Sequence, residues 1–427
     1  MPLAAPVTTA TWFSNTFTAS VYLRTVRRRT QTPCAFDILN AVHKLRFVGV
    51  FACLAFCRAQ GPVQNSTFEN SPSVVLTSSK LQLTIMTKGS TLANLILTDD
   101  PEKLSPLWNP MRMARELGRD AQYQGGAGHF VCVDGFGPTS PEERAAGLPG
   151  HGEAHTEVFE VHSAHQGSNT AITLTAKLPI VQEQFTRTFR VVDGENVISV
   201  ESELENLMGF DRPVNWAEHA TIGTPLLEPG VTVVDVSGSR SRTRPYPKVD
   251  TGNVERRLAP GQDFQWPLAP GLDGKTIDLR QTPLQPHFLD HAVTLLDPAR
   301  ELEWVTALQP KKRLVLGYVF KRAEYPWLQY WGNYPPTLKM ARGLEFSTQP
   351  FDVSRREVVS AGPMFDTPTY RWLPAKSKIK TRFLLFYAHV PEGFTKVDDV
   401  VVENGQIVIT DRAANKQVKL TATEGLP

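Results

Sequence analysis

Four short segments carry imidazole or carboxylate groups where a plain apolar scaffold has no need of them. They are Gly150-His151-Gly152-Glu153-Ala154-His155, Asn215-Trp216-Ala217-Glu218-His219-Ala220, Phe288-Leu289-Asp290-His291-Ala292-Val293 and Gly343-Leu344-Glu345-Phe346-Ser347. An imidazole and a carboxylate brought to one place can move protons near neutral pH, one group taking a proton as the other supplies one. Two histidines four apart with a glutamate between them also suggest a metal site. The match is poor, because a zinc helix needs Glu directly after the first His, and Gly150 and Gly152 oppose a helix. No CxxC pair exists, so thiolate zinc sites are excluded as well, and no metal or cofactor is assigned. His151 and His155 are then either a solvated loop pair or a source of one pocket-lining imidazole. In a strand, alternate residues share a face, so Trp216, Glu218 and Ala220 oppose Ala217 and His219. A polar pair in mid-strand needs partners or a pocket, since burying it unpaired is costly.

The elements that must position these groups read as strands. Leu81 to Thr87, Thr156 to Val161 and Ala171 to Ala176 alternate apolar and polar residues. Phe185 to Val192, then Asp193-Gly194, then Val197 to Leu204 reads as a hairpin, because Asp-Gly supplies the positive φ of a tight turn. Arg313 to Phe320 and Thr381 to His389 are further β-type runs, and the one fair helix lies near Met111 to Leu117. Many short strands punctuated by 33 prolines and 29 glycines indicate an all-β chain, a large antiparallel sandwich rather than an α/β sheet. Residues 237–270, rich in Arg, Pro and Gly, read as a long loop or insertion.

Charge divides the chain. Over 427 residues the formal charge is only +2, which argues against a nucleic-acid partner, whose footprint is a large basic excess. Residues 1–60 nevertheless hold seven basic groups against Asp37 alone. Lys44 and Arg46 precede the apolar run Phe47 to Phe56, and small residues follow near Ala59, the order of a secretory signal peptide. That run is too short to span a membrane, and no other stretch is long enough. The expectation is a leader over 1–60, combining an upstream start with a signal peptide, a linker over 61–72, and one domain over 73–427 that is exported to the periplasm or beyond. Organelle targeting through Arg24 to Arg29 is the rival. Of the four cysteines, only Cys132 lies outside the leader, so no internal disulfide is expected.

Together the segments resemble the aldose 1-epimerase, or galactose mutarotase-like, superfamily. Glu205-Asn206, Pro213 and His219 are similar to the family strand that presents its catalytic acid. Asp278-Leu279-Arg280 and Leu289-Asp290-His291 resemble its Asp-Phe-Arg stretch and its sugar-binding Asp. Pro326-Trp327-Leu328-Gln329-Tyr330-Trp331-Gly332-Asn333 resembles another family strand, and Gly343-Leu344-Glu345 through Asp352 the segment that carries the catalytic Glu. His151, within Gly-His-Gly, resembles the pocket His. These appear in family order across residues 120–390. The chain departs from the pattern in two places: residues 125–134 lack the family Arg, and Ala220-Thr221-Ile222 replace the aromatics after the catalytic His.

The resemblance implies a β-supersandwich, a small-molecule sugar as partner, and interconversion of sugar anomers. Ring opening needs a base at the anomeric hydroxyl and an acid at the ring oxygen, with no cofactor. By resemblance Glu345 is the base and His219 the acid, His151 and Asp290 bind hydroxyls, and Trp331 offers an apolar face beneath the ring. His219 must then be protonated, with Asp290 as the carboxylate that favours this. Two alternatives stay open: a carbohydrate-binding protein without turnover, because one fold can serve both, and a domain of the kind associated with polysaccharide lyases or hydrolases.

Overall fold

The computed structural model describes residues 62–121, 126–245, 256–285, 288–337 and 339–426. The leader expected over 1–60 lies outside them. Among the described residues the chain is all-β, dominated by a thirteen-stranded and an eight-stranded sheet, with every strand pairing in both antiparallel. This is the supersandwich the sequence indicates. The expected hairpin forms from Glu183–Val192 and Val197–Asn206, with Gly194 at φ +84° in its turn. The helix near residue 111 runs Pro110–Glu116 and is capped by Asn109, whose side chain accepts from the Arg112 amide.

Two expectations are corrected. Of the linker expected over 61–72, the described residues 62–72 are not a linker: Val63–Phe68 forms a strand paired with Ser71–Thr77 at the edge of the large sheet. The described parts of the expected loop, residues 237–245 and 256–270, are not simply a loop either. They contain the strand Gly238–Thr243, paired with Phe288–Leu296, and the short strands Asp263–Gln265 and Leu268–Pro270. Polar Ser239 and Arg240 at a rim hide the strand from a hydrophobicity reading.

Why the sheets stack follows from their patterns. Leu314–Lys321 is buried along Leu314 to Phe320, and Lys378–His389 along Phe383 to Ala388, so these strands bury both faces. One face meets the large sheet through Leu316, Tyr318, Phe320, Phe383 and Leu385. The other is covered by the carboxy-terminal three-stranded sheet, where Val400, Ile407, Ile409 and Leu420 pack on Val315, Val319 and Leu384. Each such Leu, Val or Phe contributes roughly 1.5–3 kcal/mol of burial. The large sheet supplies Val131, Trp216, Ala220, Leu328, Leu344 and Phe346 to the core from one face, leaving its other face to carry different chemistry.

Candidate functional site

That other face is built from neighbouring strands in the order His129–Val133, Trp216–Gly223, Ala341–Ser347, Trp327–Tyr334 and Phe288–Leu296. Register decides what meets. Phe130 pairs with His219, the pairs Ala217↔Ser347 and Thr221↔Gly343 bracket His219 and Glu345, and Glu345 pairs with Gln329. One row of side chains therefore crosses four strands: Phe130, His219, Glu345, Gln329. The Phe130 ring stacks on the His219 imidazole at 4.1 Å. His219 Nε2 lies 3.2 Å from Glu345 Oε1. That oxygen makes no hydrogen bond despite being buried: the imidazole is close but does not point at it.

Each member of the row is held from behind. The Asp352 amide donates to Gln329 Oε1 at 2.7 Å, which turns the Gln329 amide nitrogen toward Glu345 Oε2, to which it donates. His219 Nδ1 is 2.9 Å from the Thr221 hydroxyl. Gly343, two residues before Glu345 on the same face, leaves space for the carboxylate: a Cβ there would lie 2.1 Å from Oε1. His151 enters from a loop rather than a strand. Gly152, at φ +81°, presses so close to Val133 that a Cβ would lie 2.1 Å from the Val133 oxygen. The Gly137 amide donates to His151 Nδ1 at 3.3 Å, so the other ring nitrogen carries the proton when the ring is neutral.

These groups line a cavity of about 250 Å³ that also receives Trp108, His155, Trp331 and Asp352. Trp331 lies edge-on to both His219 and Trp108, with ring centroids 6.3 Å away in each case. Of the residues singled out from sequence, the structure brings together His151, His219, Trp331 and Glu345. It does not bring Asp290. Asp290 pairs with Gly332 while His291 pairs with Trp331, so Asp290 takes the opposite face. There the Arg257 guanidinium binds it at 2.6 Å and the Tyr330 hydroxyl donates to it at 3.3 Å. It is His291 that faces the site side, 3.3 Å from Asp352, which Arg244 also pairs. Gln329 and Asp352 carry no role in the sequence reading, and His155 is left there between a solvated loop pair and a pocket-lining imidazole. Gln329 could have been found from Trp331, its same-face neighbour, whereas Asp352 sits beyond a strand end where no periodicity speaks.

Electrostatics reverse the expected proton placement. Burial, then the neighbouring His151, holds the His219 imidazole well below its ordinary range. Burial pushes Glu345 up to about 8, although Gln329 and Arg244 oppose the shift. The resting pair thus holds its proton on Glu345, not on His219, and no carboxylate at position 290 is there to change this. Burial also brings His151 down to about 4. With neutral imidazoles, a protonated Glu345 and an Arg244–Asp352 pair, the lining offers hydrogen bonds without net charge. Among the described residues no group of three His, Cys, Asp or Glu side chains is arranged to hold a metal, and no helix is long and apolar enough to cross a membrane.

No family model matches the sequence, and neither does any curated protein. Solved structures do. A galactose mutarotase-like protein from Clostridium acetobutylicum aligns over 77% of this chain and 98% of its own, with a TM-score of 0.53 at 11% identity. A provisionally named aldose 1-epimerase from Klebsiella pneumoniae aligns over 77% and 83%, with a TM-score of 0.55 at 15% identity. For a provisionally named mutarotase from Salmonella typhimurium the values are 78%, 96%, 0.51 and 10%. The chain has the galactose mutarotase-like fold. At such identities the likeness speaks for fold alone.

Proposed function

We propose that this chain is an aldose 1-epimerase-like enzyme that interconverts the anomers of a free sugar, with His219 and Glu345 as its proton carriers. The observation that carries this reading is the 3.2 Å pair of a neutral imidazole and a protonated, buried carboxyl whose Oε1 has no hydrogen-bond partner, at the wall of a small cavity. The volume is that of roughly eight waters, which suits one sugar ring better than a chain. The two groups sit side by side on adjacent strands rather than on opposing walls. That arrangement serves the chemistry, because the anomeric and ring oxygens are both bonded to C1.

In the forward step His219 Nε2 takes the proton of the anomeric hydroxyl. Its electron pair forms the aldehyde C=O, the C1–O5 bond breaks, and O5 takes the proton of Glu345. The pair passes from neutral to imidazolium and carboxylate. Rotation about C1–C2 and the reverse transfers give the other anomer and restore the pair. This inverts the roles the family resemblance implies while keeping the single shared proton. His151 Nε2–H is placed to donate to a hydroxyl, and Trp331 gives the ring an apolar face. The signal-like order of residues 44–59 supports export, which amino-terminal sequencing of the mature chain tests.

The decisive experiment is polarimetry of freshly dissolved α-glucose and α-galactose with Glu345→Gln. Exchange is expected to fall by about 10²–10⁴-fold, the usual worth of a proton carrier. Undiminished exchange in that variant ends the assignment. Sugar binding by calorimetry with anomer exchange no faster than buffer in the unaltered chain selects a binding protein instead.

A further inference from the structure

A second and larger cavity, about 930 Å³, opens elsewhere on the molecule and shares no lining residue with the small one. It lies where the strand Gly238–Thr243 of the large sheet, the strand Leu302–Gln309 of the small sheet and the turn at 365–368 meet. The Val397 amide donates to Asp235 and Ser237 bonds the Trp304 backbone, but several of the charged side chains are not paired with one another. The exposed Arg240 guanidinium donates to no acceptor among the described residues and rests over the Phe365 ring at 4.0 Å. The carboxylate of Asp366, also exposed, has no partner among the described residues. Arg322 uses only its Nε, on the Leu296 carbonyl. Trp304 Nε1 is buried and bonds to nothing. Trp266 adds a half-buried indole.

From these we infer that the cleft is a second carbohydrate site, one that takes an uncharged oligosaccharide. Planar groups of both signs suit adjacent hydroxyls: a guanidinium donates to two oxygens and a carboxylate accepts from two, so together they bind a polyol without demanding a charge from it. An indole supplies the apolar platform that the C–H face of a sugar needs. The volume is nearly four times that of the small pocket, enough for several sugar units. Arg240 lies four backbone steps, about 13 Å of extended chain, from Arg244, whose partner Asp352 lines the small pocket. This goes beyond the proposed reaction and stands without it.

The test is calorimetry of the full chain with maltopentaose, cellopentaose, mannopentaose and galactopentaose, each against its monosaccharide, and with pentagalacturonate as the charged rival. At least one neutral pentasaccharide is expected to bind about tenfold or more tighter than its monosaccharide. Arg240→Ala and Trp266→Ala should each weaken it by about fivefold to tenfold. Because Trp266 also packs on the core, Asp366→Ala, at an exposed position, serves as the second surface variant. Anomer exchange in Arg240→Ala and Asp366→Ala stays at the unaltered rate, so failure here and failure of the reaction assignment are told apart. The inference is overturned if no neutral pentasaccharide outbinds its monosaccharide, if the variants bind unchanged, or if only pentagalacturonate binds.

Discussion

Glu218 and Glu345 sit on adjacent strands of one sheet, both fully buried, and yet they hold opposite charge states. Glu218 points into the layer between the sheets. Burial there drives its pKa up, but Arg187 at 2.8 Å, then His129, also at 2.8 Å, and Trp216 outweigh burial and leave it below its ordinary range. Glu345 points to the other face, where its close neighbours are a neutral imidazole and an amide, and it rises to about 8. Depth alone therefore does not decide whether a carboxyl is ionised; a cation within contact distance does. One face uses its carboxylate as a structural tie between sheets, and the other keeps an acid ready to give up its proton.

The comparison breaks first at Arg187. Arg187→Ala removes the only full cation beside Glu218 among the described residues and leaves an uncompensated charge between the sheets. The expected loss is about 3–5 kcal/mol in urea unfolding, and a double change with Glu218→Gln should recover part of it. A loss near zero would mean that water, not Arg187, solvates Glu218.

The pH dependence of stability sharpens the contrast. The raised folded-state pKa of Glu345 means that the folded chain keeps a proton which the unfolded chain loses above about 4.5. Its contribution is complete below that value and is lost as pH rises through about 8. Glu218 works the other way: its contribution is present above its ordinary value and is lost as pH falls through its depressed one. Glu345→Gln should therefore flatten the decline in melting temperature between about pH 5 and 8 while leaving the acid limb in place. A decline of unchanged slope would show that Glu345 is already ionised in the folded chain. Anomer exchange, by contrast, should hold through that range and fall only as pH rises through about 8, where the folded chain loses its acid.

The smallest effect is expected at Asp290. Asp290→Asn keeps a polar group against Arg257 on the inner face, and the sugar KM should stay within about twofold of the unaltered value, whatever the cost in stability. A tenfold rise in KM would place Asp290 in the pocket after all.

Much of this was readable in the residues. The strand runs, the Asp193-Gly194 hairpin and the order of the motifs gave the all-β sandwich, and the same order pointed to His151, His219, Trp331 and Glu345. Asp290 went astray for a specific reason. In Leu289-Asp290-His291 two polar residues are adjacent, so period two assigns one to each face, and only the register with Trp331 says which. The proton placement was hidden for another reason: the pKa of His219 and Glu345 follows from burial depth, which a linear chain does not display. Nor does sequence reveal that Arg187, thirty-one positions from Glu218, reaches it from the opposite sheet.

Gly343 gives the molecule a vulnerability out of proportion to its size. One methyl group at that position would occupy the spot where Oε1 of Glu345 now rests, evicting the acid without altering its chemistry or that of its imidazole neighbour. Gly343→Ala should accordingly behave as an internal plug: a well-folded chain, still able to display its distant cleft, in which polarimetry finds anomer exchange silenced by a group that takes part in no proton transfer at all.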